Sequence, residues 1–185
     1  MKNVLVIVYV LLSFAGLTPD SVCRIAGPQR NGIITGSLEF LKGEKELEIN
    51  FDYSNVVIKN MKEKDFLEMK AMERGEKWVK YWNEEVKNTL KVKFIKHFNE
   101  KGILYAGFKD NPQAEYVATI YLFQVNEKGS IQSEVVFTKR GASQELARLR
   151  LNSRGGKFGT LENLMGDAYK RAGEELARLI QRELK

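Results

Sequence analysis

AEYVATIYLFQV, residues 114–125, decides the fold because it carries apolar side chains on both faces of a predicted strand. Successive side chains of an extended chain point to opposite sides. The two faces would consist of Tyr116, Ala118, Ile120 and Leu122, and of Val117, Tyr121, Phe123 and Val125. A strand that is apolar on both sides belongs in the interior of a sheet, where each face is covered. We therefore predict a central strand here.

The segments around this stretch predict further strands of the same sheet. Residues 46–53 alternate strictly between apolar and polar side chains, which is typical of a strand with one wet face. The turn sequence NEKG at 126–129 indicates a hairpin. The predicted strands are 46–58, 103–108, 116–125, 131–138 and 145–151. We expect a mixed, mainly antiparallel sheet of about five strands, with the last three in a meander.

Two long amphipathic helices are predicted to cover this sheet. In the first, over about 76–101, apolar residues recur at steps of three and four, and we expect Gly102 to end it. The second begins near Thr160, whose hydroxyl is a good N-cap, and runs to the end of the chain. The predicted fold class is thus α+β, with two layers and both long helices packed on one face.

A shorter charged helix is predicted at 63–74, ahead of the first long one. It would turn Phe66, Met69 and Met72 inward and end at Gly75, which suits the left-handed conformation of a helix end.

The N-terminus has the layout of a secretory signal peptide. Lys2 precedes an unbroken apolar run over 4–12, and a polar turn follows at 18–20. Cleavage after Ala15 fits the preference for small residues, and cleavage after Cys23 would leave a longer polar region, so both stay open. A retained anchor or a buried first strand is the alternative to a signal peptide. The run is too short to span a bilayer comfortably.

We accordingly predict a signal peptide at 1–23, a flexible leader at 24–37 and a single α+β domain at 38–185. The protein is expected to be exported, to the periplasm or in association with the outer membrane, with no transmembrane helix in the mature chain. Cys23 is the only cysteine, so no intramolecular disulfide is possible. Lipid attachment at Cys23 is the alternative to cleavage there, although the residues before it do not match such a site.

The net charge of +6 favours an anionic partner. Export makes nucleic acid unlikely and leaves an envelope protein, lipid head groups or an acidic glycan. Arg148 and Arg150 are two apart on a predicted strand, so both guanidinium groups would leave the same face and could hold a carboxylate or phosphate. Arg154, Lys157 and Thr160 would extend this anion site into the glycine-rich loop and the helix start. A solvated, neutralised strand face is the alternative.

Sequence patterns for catalysis or metal binding are weak. His97 is the sole histidine, and no nucleophile motif accompanies it. The carboxylate pairs at 84–85 and 174–175 lie on predicted helices, where neighbouring side chains do not converge on one atom. We predict no enzyme, no catalytic residue, no cofactor and no metal. A hydrolase that works through carboxylates remains an alternative.

The second face of the central strand is the other candidate site. Val117, Tyr121 and Phe123 would form a partner surface there, unless residues 33–41 fold across them. The leading functional prediction is an exported, non-catalytic interaction or binding module. A weak anion-binding protein is the second prediction.

Several segments resemble a family of uncharacterised exported proteins of Gram-negative gut bacteria. The similarity covers most of 36–182, through GSLEFLKGEKELEINFDYSNVVI, the pair Trp78 and Trp82, NPQAEYVATI and AYKRAGEELARLI. A shorter link at ERGEKW departs from the family pattern. The resemblance implies location and architecture, and it implies no activity.

Overall fold

The structure is a computed structural model that describes residues 30–105 and 107–185. The predicted signal peptide, both cleavage sites and Cys23 lie outside the described residues. The strands within the described ranges are β1 (Gly32–Gly36), β2 (Glu46–Asp52), β3 (Val57–Ile58), β4 (Met61–Lys62), β5 (Lys109–Asp110), β6 (Tyr116–Val125), β7 (Ile131–Lys139) and β8 (Glu145–Arg150). The α-helices there are α1 (Glu63–Arg74), α2 (Glu76–Tyr81), α3 (Lys87–Tyr105) and α4 (Leu161–Glu183). A single π-helical turn, Trp82–Val86, joins α2 to α3.

The strands form one mixed sheet in the order β1-β8-β7-β6-β2-β5, with β3 also paired to β6 and β4 paired to β3. β6 is antiparallel to β7 and parallel to β2 and β3, so the predicted central strand is confirmed. The α+β class and the meander β6-β7-β8 are confirmed as well. The described residues contain eight strands instead of about five. The predicted strand 46–58 divides into β2 and β3, the end of α3 replaces the start of the strand predicted at 103–108, and β1, β4 and β5 were not predicted. β3, β4 and β5 have two residues each, which is too short for a periodic signal.

One face of the sheet is covered by α3 and α4, as predicted. Phe51 of β2 shows this directly: its ring centroid lies 5.2 Å from that of Phe94 in α3 and 5.6 Å from that of Tyr169 in α4. The stripe predicted for the first long helix is buried from Trp82 in the π turn to Phe98 in α3. The stripe of α4 is buried from Met165 to Ile180, whereas Leu161 and Leu164 at its start are half-buried, and it includes Tyr169, which the periodicity had not assigned.

The flexible leader predicted at 24–37 is wrong for 32–36. These residues form β1, which pairs antiparallel with β8 at the sheet edge. The alternative in which 33–41 folds across the second face of β6 is also wrong. Leu38 and Leu41 are buried in the core, and the ring of Phe40 lies 6.1 Å from that of Phe137, on the helix-covered face.

The strand predicted at 103–108 is wrong as well. α3 continues to Tyr105, and Gly102 lies inside it instead of ending it. A Cβ at Gly102 would lie 2.4 Å from the carbonyl oxygen of Phe108, so glycine lets the returning chain pack directly on the helix. The apolar pair Ile103 and Leu104, which suggested a strand, is 63% and 71% exposed.

Two smaller expectations also fail. Met72 of α1 was expected to face inward and is 88% exposed. Val125 was expected on the second face of β6 and is fully buried on the helix side. A bulge explains the second error, because the pairing of β6 with β7 shifts between Leu122 and Gln124. The extra residue, Phe123, reverses the alternation for the residues after it.

Candidate functional site: a basic groove at one end of the sheet

One end of the sheet, here the basic end, gathers the first residues of β1 and β7 and the last residues of β6 and β8. Gly32 pairs with Arg150 and Val125 pairs with Ile131, which places these strand termini side by side. The β3–β4 turn reaches the same end, since the backbone N–H of Lys59 donates to the carbonyl of Val125 at 2.8 Å. The cations carried by these termini and turns are Arg30, Lys59, Lys62, Lys128, Arg154 and Lys157.

The opposite end of the sheet carries cations that are neutralised by ion pairs. Lys109 lies 3.0 Å from Glu46, Lys139 lies 2.8 Å from Glu115, and Arg140 lies 2.7 Å from Glu48. These paired cations are less available to an anionic ligand than the exposed Arg154 and Lys157 at the basic end.

A groove of about 620 Å³, which we call the α4 groove, opens at the basic end between α4 and the loop after β8. Its lining residues are Asn31, Asn152, Ser153, Arg154, Gly155, Lys157, Arg171, Glu174, Glu175 and Arg178. A second depression of about 320 Å³ shares Asn31 and Arg154 with it and adds Arg30 and Gln132. The two together form an elongated polar trough along the end of the sheet.

The wall of the α4 groove is held by hydrogen bonds that use the backbone of the glycine-rich loop. Arg171 donates to the carbonyl oxygens of Arg154 and Gly155 at 3.0 and 2.7 Å. The N–H of Gly155 donates to the Ser130 hydroxyl, and the N–H of Gly156 donates to the Leu164 carbonyl, each at 3.0 Å. These two amides are engaged within the protein, so side chains would make the contacts with a ligand.

The groove carries more positive than negative side chains. Arg154, Lys157, Arg171 and Arg178 line it together with two acids, Glu174 and Glu175. Glu175 lies 3.6 Å from Arg178, and Glu174 lies 3.5 Å from His97 on α3. Arg154 and Lys157 are exposed at the groove, where a ligand could reach both.

The structure separates the residues that were predicted as one anion site. Arg154 and Lys157 line the α4 groove, whereas Arg148 and Arg150 lie on the uncovered face of β8. Thr160 caps α4, with its hydroxyl 3.5 Å from the backbone nitrogen of Asn163. Residues 148 and 150 do share one strand face, as the alternation predicted.

Arg148 is occupied by two carboxylates. Its Nη2 lies 2.6 Å from Glu145 and its Nη1 lies 2.8 Å from Glu134 of β7. Hydrogen bonds to Glu145 and then to Glu134 raise the pKa of the Arg148 guanidinium, and the bond from Arg148 lowers the pKa of Glu145. The sequence pattern could not show this neutralisation, because Glu134 belongs to a different strand.

Arg30, Arg171 and Arg178 were missed by the sequence analysis. The two α4 residues are seven apart, which places them on one side of the helix, and this spacing was a signal that could have been used. Arg30 precedes β1, and only the pairing of β1 with β8 brings it to the trough.

The uncovered face of the central strand carries the other predicted site. Val117 and Tyr121 are half-buried, and Phe123 is 40% exposed at the bulge. Val117 and Tyr121 pair with Thr138 and Glu134 of β7. The predicted partner surface is therefore a mixed apolar and polar face.

A second groove, of about 700 Å³, lies where β2 leaves the sheet and α1 begins. We call it the Glu63 groove. Glu63 Oε1 accepts from the indole N–H of Trp82 at 3.0 Å, and Lys87 Nζ lies 2.9 Å from the same oxygen. Lys87 also lies 5.1 Å from the centroid of the Tyr53 ring, and the hydroxyl of Tyr169 donates to that of Tyr53 at 3.4 Å.

Burial raises the pKa of the two tyrosines beside this groove. Desolvation raises the pKa of Tyr53 to about 12 and raises that of Tyr169 well above its ordinary value. Both phenols are therefore neutral over the physiological range.

Two kinds of feature are absent from the described residues. No helix among them combines the length and hydrophobicity needed to cross a bilayer. No group of three or more histidine, cysteine or carboxylate side chains among them is placed to hold a metal ion.

Comparisons with known proteins give one distant likeness. No family model and no curated protein matches the chain. Among solved structures, the chain is similar to the PelC dodecamer from Paraburkholderia phytofirmans, at 8% sequence identity and a TM-score of 0.39. The similarity covers 80% of this chain and 98% of that one. A likeness this weak does not establish a shared fold.

Proposed function

We propose that this protein is an exported, non-catalytic binding module of the cell envelope whose ligand is an anionic polysaccharide held in the α4 groove. The observation that carries the proposal is the convergence of Arg154, Lys157, Arg171 and Arg178 on one groove from two separate segments of the chain. The location outside the cytoplasm rests on the signal-like N-terminal sequence.

The shape of the trough favours a linear chain over an isolated ion. The α4 groove and the depression beside it share residues and together present cations from Arg30 to Arg178 along the end of the sheet. Successive carboxylates of a uronic acid polymer would meet Arg30, Arg154 and Lys157, and an arginine binds a carboxylate through paired hydrogen bonds. Arg171 is bonded to the loop carbonyls and Arg178 lies 3.6 Å from Glu175, so these two hold the groove and add positive charge to it. Ser153 lines the groove and supplies a hydroxyl for the sugar, while the side chain of Asn31 is bonded to the backbone of Asn152 and holds β1 against the loop after β8.

Binding to polygalacturonate in a salt series tests the proposal, with neutral dextran as the comparison polymer. We expect binding to polygalacturonate that weakens steeply as ionic strength rises, because exposed charges are screened over about 10 Å at 0.1 M salt. The double variant Arg154→Ala, Lys157→Ala is expected to lose about tenfold in affinity or more, which corresponds to about 1.4 kcal/mol.

The matched control is Arg74→Ala, Lys77→Ala, which also removes one exposed arginine and one exposed lysine, at the α1–α2 junction. This control should bind like the unchanged protein. Equal losses in the two double variants would mean that net charge alone drives binding. Equal binding to dextran, or no loss in the groove variant, would refute the α4 groove as the site.

A further inference from the structure

The π-helical turn at Trp82–Val86 assembles a polar cluster at the floor of the Glu63 groove. In an α-helix, two residues five apart lie about 140° apart around the axis, at 3.6 residues per turn. A π turn bonds residue i to residue i+5 and so places them one turn apart on the same side. The turn thereby directs both Trp82 and Lys87 towards Glu63 of α1.

Burying the charges of this cluster costs desolvation free energy, and packing alone does not require charged groups here. The side chains of Glu63 and Lys87 are only 18% and 22% exposed, so both charges lose much of their hydration. Trp82 is 1% exposed and needs an acceptor for its indole N–H, but a neutral acceptor would satisfy it without a charge. π turns occur frequently at functional sites, and this one lies at a groove.

The groove is large enough for a small ligand, and its lining has a definite chemistry. It is formed by Tyr53, Ser54, Asn55, Val56, Val57, Lys62, Glu63, Lys64, Leu67 and Lys87. The lining has three lysines and one carboxylate. Lys87 is paired with Glu63, and Lys64 lies 3.7 Å from Glu68 in an exposed pair that contributes little, so the rim lysines Lys62 and Lys64 give the groove its preference for an anion. Ser54, Asn55 and Glu63 offer donors and acceptors suited to hydroxyl groups, and Val57 and Leu67 offer apolar contacts suited to the C–H face of a sugar ring.

We propose that the Glu63 groove binds a monosaccharide that carries one anionic group. The anion would meet the exposed Lys62 and Lys64 at the rim, and the ring hydroxyls would reach Glu63 and Lys87 at the floor. The site is separate from the α4 groove and stands on different residues. Carboxylate and phosphate sugars share this chemistry, and the probes below distinguish them.

Trp82 provides the readout, because its indole N–H bonds to Glu63 in the groove. The chain has two tryptophans, so Trp78→Phe leaves Trp82 as the single tryptophan reporter. Glucuronate, glucose 1-phosphate and glucose would be titrated separately against this variant. We expect a saturable fluorescence change with at least one charged sugar and none with glucose at the same concentrations. The tighter charged sugar identifies the anionic group.

Variants at the rim avoid the folding problem that the buried cluster poses. Lys62→Ala, Lys64→Ala removes two exposed cations and should weaken binding of the charged sugar about tenfold. Arg154→Ala, Lys157→Ala removes two exposed cations from the α4 groove and should leave this binding unchanged. The two double variants thus serve as controls for each other, and loss of one proposed site is distinguishable from loss of the other.

A second measurement maps the site independently of fluorescence. Backbone amide shifts on addition of the tighter sugar should concentrate in 53–57 and 62–67, the two segments that line the groove. Glu63→Gln, checked by thermal melting for intact folding, should weaken binding because the amide donates where the carboxylate only accepts. Binding of glucose as tight as glucuronate, shifts that map elsewhere, or no binding by either charged sugar would overturn the proposal.

Discussion

Gly173 of α4 packs its backbone directly on the backbone of Phe94 in α3. A Cβ at position 173 would lie 2.4 Å from the carbonyl oxygen of Phe94 and 3.0 Å from the nitrogen of Phe98. Because both contacts are backbone atoms, no side-chain rotation can relieve them. This close approach holds the two helices against each other above Phe51, and it sets the spacing of the helical layer.

Gly173→Ala should therefore destabilise the fold even though alanine is the better helix former. Separating two packed helices by the size of a methyl group typically costs about 1–3 kcal/mol. The matched control is Gly166→Ala in the same helix, where the new Cβ would meet the flexible end of Lys93. We expect urea unfolding to show a lower midpoint for Gly173→Ala and an unchanged or higher one for Gly166→Ala. A neutral Gly173→Ala would mean that α3 and α4 can shift apart freely.

Arg171→Met should loosen the loop of the α4 groove without unfolding the domain. The substitution removes the hydrogen bonds to the carbonyls of Arg154 and Gly155 and keeps a long apolar side chain. We expect faster amide hydrogen exchange at 153–157 and weaker polygalacturonate binding, while the urea midpoint changes little, since one exposed arginine contributes about 1 kcal/mol.

The control for Arg171→Met is Lys170→Met, at the adjacent exposed position of α4. Amide hydrogen exchange at 153–157 in Lys170→Met should be as slow as in the unchanged protein. If both variants exchanged alike, Arg171 would not hold the loop.

Much of the fold could be predicted because the long elements have periodic sequences. β6, β7, β8 and α4 each bury one face over many residues, and that pattern is visible in the chain. The predictions for β1 and for residues 103–105 were wrong for a different reason. A five-residue strand at an edge and the last turn of a helix depend on contacts outside the segment itself, here with β8 and with the Phe108 carbonyl.

The candidate sites were predicted less well, since both grooves are assembled by tertiary contacts. Arg154 and Lys157 carried a local signal, but Arg30 and Arg178 join them only through the pairing of β1 and the docking of α4. The Glu63 cluster depends on a π turn, and an α-helical period places Trp82 and Lys87 on different sides. No local sequence pattern predicts the change from an α-helix to a π turn.

Arg148→Ala should leave polygalacturonate binding unchanged, in contrast to the groove variant. Its guanidinium already bonds Glu134 and Glu145, so a ligand carboxylate would have to displace both. The double variant Glu134→Gln, Glu145→Gln removes both partners and is expected to create new salt-sensitive binding at the sheet face. Loss of binding in Arg148→Ala alone would show that the anion binds at β8 and not in the α4 groove.

Alkaline pH should destabilise the protein through Tyr53. Burial raises its folded pKa to about 12, above the ordinary value of 10.0, so the unfolded chain loses this proton first. The contribution of Tyr53 is thus fully present below pH 10 and is lost as the pH rises from about 10 to about 12. A difference of about two pKa units corresponds to a contribution of about 2–3 kcal/mol.

Urea unfolding at a series of alkaline pH values would measure this loss, with Tyr53→Phe as the comparison. Phenylalanine keeps the ring beneath Lys87 and removes the titrating hydroxyl. The lysines titrate in both proteins, whereas Tyr169 loses the acceptor of its hydroxyl in Tyr53→Phe, so the difference between the two pH profiles reports the hydrogen-bonded pair Tyr53 and Tyr169. We expect the profile of Tyr53→Phe to fall less steeply above pH 10. Parallel profiles would show that the Tyr53 hydroxyl is solvated in the folded protein, and the floor of the Glu63 groove would then be wetter than its burial indicates.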